Sequence, residues 1–302
     1  MSQPNTVVVT GAAGHLGSHL IPLLVAEGFR IRGLDIVEPK KPLLKGAEFF
    51  KADLIDAGQL RPVFEGSDII VHCASIHPWK KYTDEQYLDN NIKGTWVLYS
   101  TAAELGIDKI VLTSSIAASG TSGIPVEAWP VSEDAEFVRG GLYCVTKHTQ
   151  EDIARHFADH GKVRTIALRP PAFMPLADAW TTGRWLLAGM YSVVEDVAAP
   201  HVNAVRVFAG VQEPGAPLAA FEAFNITNQP PFTKEDVAEL GPDANLGGLV
   251  KKYWPDAYEW LIAKGWDPSG LPVVFDNSKV KRALGWQAEH NFQRWFAENR
   301  DT

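Results

Sequence analysis

The sequence predicts an α/β fold, a parallel sheet with helices on both faces, and three observations carry that reading. Short apolar runs rich in Val and Ile alternate with amphipathic stretches through the first 170 residues. A glycine-rich turn joins the first apolar run to the first amphipathic one. One more strand-like run appears late, at 223–227, after a proline- and aromatic-rich interruption. Strands that alternate with helices build βαβ units, whose crossovers cover both faces of a parallel sheet.

The strand-like runs are "TVVVT" (6–10), "RIRGLDI" (30–36), "AEFFKA" (47–52), "DIIVHCA" (68–74), "KIVLTSS" (109–115) and "VRTIALRP" (163–170). Amphipathic segments lie between them at about 15–27, 57–65, 84–105 and 142–160. From residue 170 come Pro170, Pro171 and Pro175, then "LADAWTTGRWLLAGM" (176–190), then the helical "EDVAAPHVNAVRVFAG". The rest is helical and Trp-rich. Residues 1–170 are therefore expected to form a dinucleotide-binding domain to which 191–228 returns. Residues 171–190 and 229–302 are expected to form a small, mostly helical substrate cap. No internal repeat or low-complexity tract occurs.

Composition narrows the function. The chain has 302 residues, 46% hydrophobic and 21% charged, with a formal net charge of −8. That balance, without any long Lys/Arg run, argues against nucleic acid or an anionic membrane as the main partner. Cys73 and Cys144 are isolated, so they make neither a disulfide framework nor a metal set, and no metal is expected. The N-terminus enters a strand within a few residues, so no signal peptide is expected, and no apolar run approaches a membrane span. A soluble cytoplasmic protein that acts on a small molecule is expected.

"VVVTGAAGHLGSHL" places Gly11, Gly14 and Gly17 between the first strand and the first helix. The first glycine allows a tight bend, the second lets backbone N–H groups approach a pyrophosphate, and the third permits close helix–strand packing. The turn is a variant of the dinucleotide fingerprint, and the fold it predicts is a doubly wound, Rossmann-type sheet. Asp35 ends the second strand, where a carboxylate accepts hydrogen bonds from ribose hydroxyls and repels a 2′-phosphate. NAD is expected rather than NADP, although Arg32 and Lys40 stand nearby in sequence. Asp53 either caps the adenine edge or caps a helix. His15, Leu16, Leu54, Ala74 and Pro170 complete the expected cofactor-facing set.

Tyr143 and Lys147 are four residues apart and so share one helix face. Such a pair also arises by chance, so context must decide. That context is a series of pieces in order: "TGAAGHLG" (10–17), "NNIKGTWVL" (90–98), "VLTSSIAASG" (111–120), "YCVTKHTQE" (143–151), "LRP" (168–170), "VVEDVAAPHV" (193–202), "FNIT" (224–227) and "DNSKVKRALGW" (276–286). Together they resemble the extended short-chain dehydrogenase/reductase family, the NAD-dependent epimerase/dehydratase group, over nearly the whole chain. The resemblance implies that Tyr143 is the catalytic acid/base, Lys147 its partner, Ser115 the third catalytic hydroxyl and Asn91 an asparagine near the cofactor. It also implies a homodimer formed through the helices at about 84–105 and 142–160. A nearby ammonium favours a phenolate, so Lys147 is expected to draw the Tyr143 pKa down. Adjacent strand residues face opposite ways, so only one of Ser114 and Ser115 is expected to reach the site, and the resemblance, counted back from Gly120, implies Ser115.

The sequence also departs from that family. Ile116 and Ala117 follow Ser115 where dehydratases carry Asp-Glu, which argues against dehydration. "GMYSVVEDVA" and "DPSGLPVVFDNSK" lack the arginines of nucleotide-sugar enzymes, and the segment from Pro170 to Tyr191 is short. A small substrate without a nucleotide handle is expected. His77, on a loop, is a candidate substrate contact; His72 reads as packing. Phe173, Trp180 and Trp185 offer aromatic surface and Arg184 a cation. Of these, Phe173, Trp180 and Arg184 are taken as substrate contacts, which suits a sugar, sugar acid or lactone. The expected activity is an NAD-dependent oxidation of a secondary alcohol to a ketone, or of a hemiacetal to a lactone. An epimerase with tightly held NAD is the alternative, ahead of a cofactor-sensing protein without turnover.

Overall fold

The computed structural model describes residues 5–120, 124–136 and 140–301. Seven strands, β1 (Thr6–Thr10), β2 (Arg30–Asp35), β3 (Ala47–Lys51), β4 (Ile69–His72), β5 (Lys109–Thr113), β6 (Arg164–Arg169) and β7 (Phe221–Asn225), form one sheet. Its order is β3-β2-β1-β4-β5-β6-β7, and every pairing is parallel. The predicted doubly wound sheet is the observed one, with strand ends shifted by one or two residues.

The central strand shows why the sequence reads as it does. Side chains alternate between faces along a strand. Val7 and Val9 enter the core beneath α1 (His15–Ala26), while Val8 enters the opposite core beneath α2 (Ala57–Phe64). All three are fully buried, so the strand must be apolar throughout rather than alternating. The predicted helix at 84–105 is interrupted. It runs as α3 (Asp84–Tyr87), a π-helical turn (Leu88–Lys93) and α4 (Gly94–Glu104). Then comes the 18-residue α5 (Leu142–Asp159), which follows β5 in the chain.

After β6 the chain forms α6 (Ala179–Leu187) and α7 (Val194–Phe208); the latter packs on α1 and leads to β7. The remaining helices are α8 (Lys234–Leu240), α9 (Leu246–Tyr253), α10 (Pro255–Ala263), α11 (Ser278–Leu284) and α12 (Phe292–Asn299). A third core, rich in aromatics, joins α6, α9, α10 and α12 to the turn after β5 through Leu187, Trp266, Phe275 and Trp295. The strand order reverses direction between β1 and β4. A crevice therefore opens outside their carboxyl ends, where the glycine turn and the loop after β4 flank it.

Candidate active site

The glycine turn forms one wall of a cleft of about 400 Å³. Gly11 has φ +70, and a Cβ there would sit 2.9 Å from the Ala74 amide nitrogen. A Cβ on Gly17 would run into the Gly11 carbonyl oxygen, so the turn closes only around glycine. Gly14 caps α1 without a side-chain acceptor, which leaves the helix's first N–H groups for an anion. Of the residues expected to face the cofactor, Gly11, Gly14, His15, Leu16, Gly17, Asp35, Asp53, Leu54 and Ala74 line the cleft. The His15 ring lies 6.3 Å from that of Phe173, 14° from parallel, and ties the turn to the segment after β6.

The Asp35 carboxylate is held in place: one oxygen accepts from the Ala13 amide (3.0 Å) and the other from Val37 (3.2 Å). Arg32 is occupied elsewhere, donating to the carbonyls of Val63 (2.8 Å) and Glu65 (2.7 Å). Asp53 resolves as a cleft residue, because the cap of α2 is Asp56, which accepts from Gly58 and Gln59. These features fit a dinucleotide: a glycine cradle, free helix-start amides and an anchored carboxylate at the end of β2.

A second cavity of about 390 Å³ adjoins the first, sharing Cys73, Ser75, His77, Phe173 and Met174 with it. Ser115, Tyr143, Lys147 and Pro170 line this chamber. The Lys147 ammonium is buried and donates to the Thr113 carbonyl (3.0 Å), 5.9 Å from the centre of the Tyr143 ring. Burial lowers Lys147 to about 7, against the pull of Glu151. Burial also pushes the Tyr143 phenol above its ordinary value, with the Ser115 hydroxyl as a hydrogen-bond partner pulling the other way. The expected lowering of Tyr143 by Lys147 is thus not what this geometry produces; desolvation dominates both groups.

Ser114 and Ser115 have separate roles. Ser114 donates to the buried Glu151 carboxylate (2.6 Å), whereas Ser115 caps the turn at 116–118 and partners the phenol. Glu151 forms a two-pronged pair with Arg169 at 2.8 and 2.6 Å, and Arg169 also reaches Ser119 Oγ and the Glu133 carbonyl at 2.9 Å each. This buried network holds the end of β5 against α5.

Several expectations need correction. Asn91 is fully buried on the π-helical turn, and its amide is spent on the protein. It accepts from Ser75 (3.0 Å) and Ile76 (2.9 Å) and donates to Thr146 (3.1 Å), so it braces the loop after β4 against α5 rather than facing the cofactor cleft. Trp180 and Arg184 lie outside the second cavity. They are one helical turn apart on α6, with the guanidinium 5.8 Å from the Trp180 ring, and Trp180 packs on Trp260. A residue five positions after Trp180 occupies another face of the helix. Trp185 therefore is the α6 aromatic that lines the chamber. Phe173 and His77 also line it, and His72 is buried between Thr10 and Thr95 as packing. Trp79, Met174 and Met190 were not anticipated. An exposed tryptophan on a loop at the sheet's carboxyl edge was the available signal for Trp79. With Arg184 outside, the cation that suggested a sugar acid is gone.

Residues 7–174 match a family described as the NAD dependent epimerase/dehydratase family. The chain belongs to that family. It is similar to the "3 beta-hydroxysteroid dehydrogenase/Delta 5-->4-isomerase" of Vaccinia virus (strain Copenhagen), 33% identical over 118 residues, 37% of this chain and 34% of that one. It thus spans about a third of that relative's length. It is also similar to a mouse (Mus musculus) "Sterol-4-alpha-carboxylate 3-dehydrogenase, decarboxylating", 28% identical over 258 residues, 77% of this chain and 66% of the other. In fold it resembles a short-chain dehydrogenase/reductase superfamily protein from Agrobacterium tumefaciens with bound NAD. That likeness has a TM-score of 0.69 and 19% identity over 98% of this chain and 96% of that one. Among the described residues no helix is long and apolar enough to cross a membrane.

Proposed function

We propose that this family member is an NAD-dependent dehydrogenase/reductase that interconverts a secondary alcohol and a ketone, or a hemiacetal and a lactone, through Ser115, Tyr143 and Lys147. The observation that carries the reading is the shared wall: the chamber holding these three residues opens directly beside the glycine-turn cleft. The dinucleotide, when bound, accepts or donates the hydride. Gly11, Gly14 and Gly17 would seat its pyrophosphate and Asp35 its adenine ribose, where the carboxylate disfavours a 2′-phosphate and so favours NAD over NADP. Ser115 orients the substrate oxygen. Tyr143 passes the proton, donating it from the phenol in reduction and accepting it in oxidation. Lys147, held by the Thr113 carbonyl 5.9 Å from the centre of the phenol ring, would reach the nicotinamide ribose and tune the phenol through its own protonation.

We also take the protein to be a cytoplasmic homodimer, in keeping with its two isolated thiols and with exposed apolar residues on α4 and α5. Trp96 is 46% exposed and Val145 40%. The test is nicotinamide absorbance with candidate alcohols and ketones. Tyr143→Phe should lower kcat by about 10²–10⁴ while leaving NAD binding intact. No net redox change, with NAD retained by the isolated protein, would move the assignment to an epimerase.

A further inference from the structure

The second chamber is walled mainly by apolar side chains, among them Ile116, Phe173, Met174, Met190, Trp79 and Trp185. The polar groups that also line it are mostly committed to the protein. Thr113 Oγ1 is bonded to His201 Nε2 (2.8 Å), Ser114 to Glu151 (2.6 Å) and Ser75 to Asn91 (3.0 Å). Burial raises the Cys73 thiol to about 12, and its sulfur lies 3.4 Å from Thr113 Oγ1. Among the described residues, no carboxylate and no arginine lines the chamber. What remains for a substrate is the Ser115/Tyr143 pair, the Lys147 ammonium beneath it and one edge of His77.

A sugar or sugar acid entering this chamber would leave most of its hydroxyls without partners. Each buried, unpaired polar group costs about 1–3 kcal/mol. A carboxylate would meet no guanidinium, because Arg184 is exposed against the Trp180 ring and does not line the chamber. An apolar body, by contrast, would be met by most of the lining. Trp79 and Trp185 stand 5.7 Å apart at 43°, one from the loop after β4 and one from α6. Trp79 is 47% exposed, so the pair lies where the chamber reaches solvent. The volume is near the small end of the roughly 300–1,000 Å³ typical of small-molecule sites, which suits one or two rings rather than a nucleotide sugar.

Resting on the oxidoreductase reading above, we propose that the substrate is a ketone or secondary alcohol with a single reacting oxygen and an apolar, ring-bearing body, gripped by Trp79 and Trp185. In reduction the carbonyl carbon takes the hydride and the carbonyl oxygen takes the Tyr143 proton. The products are the secondary alcohol and oxidised dinucleotide, and solvent reprotonates Tyr143.

The test compares acetophenone and 1-phenylethanol with glucuronic acid and galactose, using NADH or NAD as appropriate. The aryl pair should turn over. Trp185→Ala should raise its KM roughly tenfold, the loss of one good aromatic contact. Trp79→Ala, on an exposed loop that threatens folding less, should act in the same direction. Arg184→Ala should change neither constant. Turnover of the sugars alone would overturn the substrate class while leaving the oxidoreductase reading standing. If nothing turns over, that reading falls, and calorimetric binding of acetophenone to the NAD-loaded protein decides the substrate class. Binding lost in Trp185→Ala supports an apolar ligand; no binding refutes it.

Discussion

The buried Glu151–Arg169 pair offers the sharpest test of how the site is held. Both side chains are nearly solvent-free, at 3% and 5% exposure. Glu151→Ala removes the guanidinium's paired carboxylate, leaving Ser119 Oγ and the Glu133 carbonyl as neutral acceptors and only the more weakly coupled Glu133 and Asp134 charges. Breaking a buried pair by removing one partner costs about 3–5 kcal/mol. At about 2.1 cal/mol/K per residue, a chain of 302 residues unfolds with an entropy near 0.6 kcal/mol/K. The Tm should therefore fall by about 5–8 °C in calorimetry. Ser114 loses its 2.6 Å acceptor in the same variant, so the strand end carrying Ser115 loosens. A displacement on the order of 1 Å at a catalytic group costs about 10² in rate, so kcat should drop more than KM changes. The apolar pair Glu151→Leu with Arg169→Met should recover much of the Tm, but not the rate. A single variant whose Tm stays within about 2 °C of the parent, at unchanged kcat, would refute the argument.

Other outcomes follow from the same geometry. Lys147 is buried and lowered to about 7 from its ordinary 10.5, so between those pH values the unfolded chain binds a proton that the folded one lacks. Stability from this group rises with pH across that window, and the penalty is complete below about 7. Lys147→Met removes the term, so its stability relative to the parent should fall steadily from pH 7 to pH 10; a pH-independent difference would contradict the burial argument. Asp35→Ala should weaken NAD at least tenfold and narrow the preference over NADP, measured by cofactor titration. Trp96→Glu places a charge on the exposed face of α4 and should give a monomer by light scattering if that face pairs two copies. An unchanged mass would move the interface elsewhere.

The sheet was legible in the sequence because its cause is local. Val7, Val8 and Val9 are apolar in a row since both faces of β1 are covered, and the three turn glycines are there since a Cβ would collide with Ala74 or with the Gly11 carbonyl. The Tyr143/Lys147 spacing, likewise, is a property of one helix. The environment of those groups is set by residues distant in the chain. The sequence could not weigh desolvation against the charge of Lys147, because burial depends on how α5 seats against β5. It could not show that Asn91 is consumed by Ser75, Ile76 and Thr146, which lie up to 55 residues away. Nor could it say which α6 aromatic faces the chamber: Trp180 and Trp185 are equally apolar, and only the docking of α6 on α12 sends one against Trp260 and the other toward Trp79. Local spacing determined the fold and the candidate catalytic pair. Tertiary packing decided how polar the chamber is, because a hydroxyl's availability to substrate depends on whether a distant side chain has already claimed it.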